Sequence, residues 1–131
     1  MVTDSISDLI VRLTNAGQVG KETLTMPYSN MSASILELLT KEGYIKGYSK
    51  KGKKVTKALE VSLMYKAGGA PRIAGVQRIS RLSKRLYNKA KDIKPVKNGH
   101  GMLVLTTPKG ILSDKMAKKD NVGGEPLFKI W

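Results

Sequence analysis

From Ser5 onward the apolar residues Ile6, Leu9, Ile10 and Leu13 recur at intervals of three and four, the spacing that lines one face of a helix, and the pattern stops at Asn15-Ala16-Gly17. Ser5 with Asp8 three residues on supplies the start signal. A weak alternation from Glu22 to Met26 predicts a short strand that ends at Pro27. Ser29 or Asn30 then caps a second helix carrying Met31, Ile35, Leu38 and Leu39, and Gly43 closes it. Tyr44 to Tyr48 and Ala58 to Tyr65 read as the strands of a hairpin, the second with Leu59, Val61, Leu63 and Tyr65 on one face. The Lys-rich loop Ser49-Lys50-Lys51-Gly52-Lys53-Lys54 joins them. This order predicts an α/β layer with both helices on one face of a small sheet.

Ala67-Gly68-Gly69-Ala70-Pro71 is the expected boundary between an N-terminal α/β domain, 1–67, and a C-terminal domain, 68–131. Beyond it, Ile73 to Ser80 and Lys84 to Tyr87 read as strands, Ile93 to Val96 as a short helical turn before Asn98-Gly99, and Met102 to Thr107 as a buried strand. Ser113 or Asp114 caps a short helix from Lys115 to Lys119, and Gly123-Gly124 turns the chain into a last strand from Leu127 to Trp131. The predicted fold class is α+β, an N-terminal α/β domain packed against a smaller, mostly β C-terminal domain.

Charge changes the picture from a generic small fold to a polyanion binder. The 131 residues carry 24 Lys and Arg against 10 Asp and Glu, net +14, a self-repulsion that an anionic partner relieves. The excess begins near Lys41, and between Lys50 and Lys91 the sole acid is Glu60. A surface built only for solubility intersperses both signs. Nucleic acid is therefore favoured over membrane lipid, and no long apolar run predicts a membrane span. With no cysteine, disulfides and thiolate chemistry are excluded. The start of the chain is acidic at Asp4 and Asp8 and lacks a basic-then-apolar signal, so cytoplasmic residence is expected.

The chain has little of what an enzyme requires. His100 stands alone in Gly99-His100-Gly101, and neither Gly68-Gly69 nor Gly123-Gly124 has the glycine spacing of a phosphate-cradling loop. No catalytic residue, metal or cofactor is expected. Binding chemistry is better represented. Arg78, Arg81, Lys84 and Arg85 lead to Tyr87, a ring that reads equally as a core residue or as a platform for a base. Thr106 and Thr107 place hydroxyls beside Pro108-Lys109-Gly110, suited to ribose hydroxyls and base edges, next to a helix start at Ser113-Asp114 whose N–H groups could face a phosphate or simply be capped.

Taken together these residues resemble the small-subunit ribosomal protein eight family of bacterial type, essentially end to end. The family's Ser-Thr-Ser-Lys-Gly stretch, Thr-Asp cap and Gly-Gly-Glu turn are matched by Thr106-Thr107-Pro108-Lys109-Gly110, Ser113-Asp114 and Gly123-Gly124-Glu125. Asp4-Ser5-Ile6-Ser7-Asp8 with Arg12 and Asn15, then Met26-Pro27, Glu42-Gly43-Tyr44-Ile45 and Arg78-Ile79-Ser80-Arg81 follow in family order. Three positions depart from the pattern. Pro108 stands for a serine and brings neither hydroxyl nor N–H, so a contact there is missing or taken by Lys109. Leu82-Ser83 replaces a Pro-Gly pair, and Ser29-Asn30-Met31-Ser32 lacks the usual lysines.

The resemblance implies a structural, non-enzymatic constituent of the small subunit of a cytoplasmic ribosome, with an organellar ribosome the alternative. Its partners would be small-subunit ribosomal RNA, bound directly in the central domain early in assembly, and neighbouring small-subunit proteins, with its own messenger RNA as a further target. The expected RNA-binding residues are Thr106, Thr107, Lys109, Tyr87, Arg81, Lys84, Arg85, Gly123, Gly124, Glu125, Lys53 and Lys54. Glu125 would be repelled by phosphate; it accepts from a base amino group or orients the Thr106 loop or a basic neighbour, with orientation favoured. A regulatory protein acting on messenger RNA or a basic DNA-binding module is the rival, with contacts to 2′-hydroxyls separating RNA from DNA, and an RNA-modifying enzyme is disfavoured by the missing catalytic constellation.

Overall fold

The computed structural model describes residues 5–52, 57–80 and 85–131, and the chain divides into two units, Met1–Ile73 and Ala74–Trp131. The fold class is α+β, with a separate antiparallel sheet in each unit.

In the first unit, α1 (Ser5–Gln18) buries Leu9, Ile10, Leu13, Ala16 and Gly17. It runs past the predicted stop at Asn15-Ala16-Gly17 because Gly17 is wanted for its size: a Cβ there would stand 3.1 Å from Pro71 Cβ. The helix ends instead at Gln18, and Gly20, whose φ of 76° is cheap only for glycine, turns the chain out of it. β1 (Thr23–Pro27) leads to α2 (Asn30–Lys41), which Ser29 caps by accepting from Ser32 N at 3.0 Å. At the other end Gly43, with φ 79°, lets Tyr44 N reach Leu39 O and Gly43 N reach Thr40 O, a Schellman closure.

β2 (Ile45–Lys51) and β3 (Ala58–Leu63) follow, and the sheet order is β1-β3-β2, antiparallel throughout. Leu59, Val61 and Leu63 are buried at alternate positions of β3. α1 lies along β1, α2 along β2, and the two helices touch, which places both on that apolar face. β2 is longer than expected. Lys50 and Lys51 pair with Leu59 and Ala58 and are strand residues rather than loop, and Lys51 Nζ lies 2.8 Å from Glu60 across the ladder. β3 is shorter: Tyr65 leaves it to bridge to Pro71, and Lys66 N donates to Ala70 O at 2.8 Å. The stretch 67–71, where a boundary was expected, is thus a tight turn, and the division of the chain falls after Ile73.

In the second unit β4 (Val76–Arg78), β5 (Met102–Thr107), β6 (Gly110–Ser113) and β7 (Glu125–Ile130) form a sheet in the order β4-β7-β5-β6. α3 (Asp114–Lys119) packs on β5 and β6. Ile93, Val96, Leu103, Leu105, Leu112 and Ala117 form the core beneath it. Pro126 sits inside β7 despite having no N–H to give; a bulge between Val104 and Leu105 absorbs it, and Leu105 is opposite Pro126.

Three expectations for this half are corrected, and one strand goes unread. The strand read from Ile73 to Ser80 pairs regularly only over Val76–Arg78, because Ala74 N and Gly75 N both converge on Trp131 O. The described part of the strand read from Lys84 to Tyr87 makes no ladder: Leu86 N is taken by the Ser80 hydroxyl at 3.2 Å. Ile93 to Val96 is extended, with single 3₁₀ turns on either side at Ala90–Asp92 and Lys97–Gly99, since Pro95 disfavours helical backbone in the residue before it. β6 was missed altogether. It follows Pro108-Lys109-Gly110, where Pro108 opens a tight turn and Gly110, φ 108°, re-aims the chain into a four-residue strand.

Candidate nucleic-acid interface

The site grows from Gly123 and Gly124. After α3, Val122 N donates to Ala117 O and Asn121 takes φ 54°, which turns the chain toward β7. Gly124 and Asn88 then exchange both backbone hydrogen bonds, at 2.8 and 2.9 Å. The approach is too close for side chains. A Cβ on Gly123 would lie 2.5 Å from Asn88 O and 3.1 Å from Tyr87 Oη, and one on Gly124 would overlap Thr106 O and stand 2.8 Å from Thr107 Cγ2. Two adjacent glycines therefore let the backbone of 87–89 and that of 106–107 close on the same turn.

Glu125, opposite Thr106 in the β5–β7 pairing, is the polar hub of the arrangement. Its Oε2 accepts from Ser80 Oγ at 2.5 Å and from Arg85 Nε at 3.1 Å, while Oε1 accepts from Arg85 Nη2 at 2.9 Å. The paired guanidinium holds the Glu125 carboxyl below its ordinary value of 4.5; partial burial opposes this and the Ser80 hydroxyl adds to it. A bidentate pair fixes the plane of Arg85. Its side chain is still 66% exposed, and two of its five N–H donors are used in these bonds. Glu125 thus orients a basic neighbour and the buried Ser80.

Tyr87 is 66% exposed, so the ring is a surface platform and not a core residue, while its hydroxyl end lies against Gly123. Thr107 is half-buried and already engaged: Oγ1 donates to Gly110 O at 2.8 Å and accepts from Lys109 N at 3.1 Å, which ties the turn that presents the exposed Lys109. Thr106 is half-buried beside it. At the start of α3, Ser113 Oγ accepts from Met116 N, and buried Asp114 accepts from Leu103 N through Oδ1. That helix start is an ordinary cap with a carboxylate on it.

Of the expected residues, Tyr87, Arg85, Thr106, Thr107, Lys109, Gly123, Gly124 and Glu125 are brought together. Arg81, Lys84, Lys53 and Lys54 lie outside the described residues. Ser80 and Asn88 were missed. Ser80 is fully buried and joins Glu125 to Leu86 N, and nothing local to residue 80 signals a partner 45 positions away. In the N-terminal unit a second basic and aromatic cluster forms where Lys50 and Lys57 stand 4.9 and 5.4 Å from the centre of the Tyr28 ring.

A family profile described as ribosomal protein S8 matches residues 4–131. The chain belongs to the ribosomal protein S8 family. It is 45% identical over 130 residues to the small ribosomal subunit protein uS8 of Mycoplasmopsis agalactiae, covering 99% of this chain and 98% of that one. Over 130 residues it is 41% identical to the protein of the same description from Halothermothrix orenii, with the same coverage. The Caulobacter vibrioides protein is 41% identical over 131 residues, again covering 99% and 98%. The exposed ring and cations gathered around the Gly-Gly-Glu turn thus sit in an S8-family chain whose likeness runs along its whole length.

Proposed function

We propose that this S8-family chain is a structural constituent of the small subunit of the cytoplasmic ribosome, which binds small-subunit ribosomal RNA directly in the central domain and helps its assembly. One observation carries the reading: the glycine pair draws an exposed tyrosine, an oriented arginine and the Thr107–Lys109 turn to one place, with the Glu125 carboxylate engaged by Arg85 and Ser80. Arg85 and Lys109 neutralise phosphates, Tyr87 stacks on an unpaired base, and the Thr106 segment and the glycine backbone fit the shallow minor groove with its 2′-hydroxyls. Arg81, Lys84, Lys53 and Lys54, which lie outside the described residues, are proposed from the sequence as further, sequence-independent phosphate contacts. An element of the chain's own messenger RNA that imitates the ribosomal site would occupy the same residues and compete for them.

Binding of the full chain to a central-domain RNA fragment tests the reading. Tyr87→Ala is expected to cost about 1–3 kcal/mol of affinity, and Tyr87→Phe to retain most of it. The DNA of the same sequence should bind only at the non-specific level. An alanine variant that binds like the parent would remove the ring from the site, and equal affinity for DNA would remove the 2′-hydroxyls.

A further inference from the structure

We propose that the groove between the 93–99 segment and α3 docks an acidic, partly apolar segment of a neighbouring protein in the ribosomal subunit, an inference that rests on the ribosomal role proposed above. The groove has a volume of about 600 Å³. Its apolar lining includes the exposed Pro95 and an edge of the nearly buried Ile93, where the backbone runs between two single 3₁₀ turns. Lys94 stands on one wall and Lys115 and Lys118, three residues apart on α3, on the other. All three lysines are exposed, and none makes an ion pair among the described residues.

An apolar lining asks for an apolar side chain, and three ammonium groups on the rim ask for carboxylates beside it. A nucleic acid fits less well. Among the described residues no aromatic ring or guanidinium lines the groove for a base to stack on. The groove is also remote from the Gly-Gly-Glu turn along the sheet. Asp114 is bonded to Leu103 N near the start of β5, whereas the turn meets Thr106 and Thr107 at its far end. From Leu103 to Thr107 the strand covers about 13 Å at about 3.3 Å per residue. RNA held at one end of β5 leaves the other end open to a protein.

Two measurements on the full chain test this. A photoreactive residue at position 94, introduced in cells and activated in purified small subunits, is expected to crosslink to a ribosomal protein segment in which apolar residues alternate with Asp or Glu. Lys94→Ala, Lys115→Ala and Lys118→Ala combined are expected to reduce that protein's retention about tenfold. The salt dependence of binding to the central-domain RNA fragment should be unchanged in the same variant. Crosslinking to RNA, or a salt slope lowered by about one for each lysine removed, would make these lysines phosphate contacts and overturn the proposal. Crosslinking to a segment without carboxylates, or none at all, would overturn it equally. Failure of the parent chain to bind the RNA fragment would count against the ribosomal reading and leave the crosslink result to be judged separately.

Discussion

In the N-terminal unit side chains press the elements together, whereas around Gly123 and Gly124 the C-terminal unit sets backbone against backbone. Ile35, Leu36, Leu39, Leu59 and Val61 are all fully buried, and each contributes by the apolar area it removes from water. At the glycine pair the useful property is the missing side chain, which lets Asn88, Thr106 and Thr107 close on one turn. A layer held by side chains fails when atoms are removed. A surface assembled by backbone approach fails when atoms are added, and it then loses its shape and its ligand together.

The sharpest way to break this contrast is to subtract in one unit and add in the other. Leu36→Ala leaves a cavity and is expected to cost about 3–4 kcal/mol of stability in urea unfolding, with little change in RNA affinity under conditions where the chain remains folded. Gly124→Ala is expected to cost about 2–3 kcal/mol by overpacking, and its folded fraction should also bind RNA more weakly. If the two variants lost stability and affinity in the same proportion, the distinction would collapse.

A smaller effect tests how the turn is held. Removing the Thr107 hydroxyl strips a donor from Gly110 O and an acceptor from Lys109 N. Thr107→Ala is expected to cost about 1 kcal/mol and to speed amide hydrogen exchange at Lys109. Unchanged exchange there would show that the turn stands without its hydroxyl.

The smallest effect concerns Glu125, whose pair with Arg85 is open to solvent on the arginine side. Its folded carboxyl titrates below the ordinary 4.5. The ionised form therefore adds stability above that pH, and the contribution fades as pH falls through the lowered value. Glu125→Gln is expected to be slightly less stable than the parent near neutrality and to lose less on acidification below pH 4.5, as read by urea midpoints across that range. A parallel pH dependence in the two proteins would mean that the pair does not act this way.

Much of the N-terminal unit was legible because its periodicities are local. Ile35, Leu38 and Leu39 place a buried helix face, Ser29 and Gly43 mark its ends, and Leu59, Val61 and Leu63 alternate along a strand. The C-terminal unit was less so. Leu86 N is satisfied by a serine hydroxyl and not by a strand, β6 has only four residues behind a proline turn, and the extended backbone at Ile93 follows from Pro95 and the core it covers. For the candidate site, the favoured orienting role of Glu125 toward a basic neighbour is met in its pair with Arg85. Ser80 and Asn88 could not be read in advance, because their importance lies in partners 45 and 36 residues away.

By itself, then, the sequence determined a basic α+β chain with two amphipathic helices on a small sheet, and it named the threonines, the tyrosine and the arginine by their chemistry, while the glycine pair read only as a turn until the family resemblance singled it out. The tertiary structure decided that Tyr87 is exposed, that the Thr107 hydroxyl is spent on its own turn, and that Ser80 and Glu125 fix the plane of Arg85. Periodicity and capping act within a few residues and are written in the local order of side chains. Exposure and hydrogen-bond partnership depend on which distant segments arrive together, and only the folded chain brings 80, 88, 106 and 125 to one place.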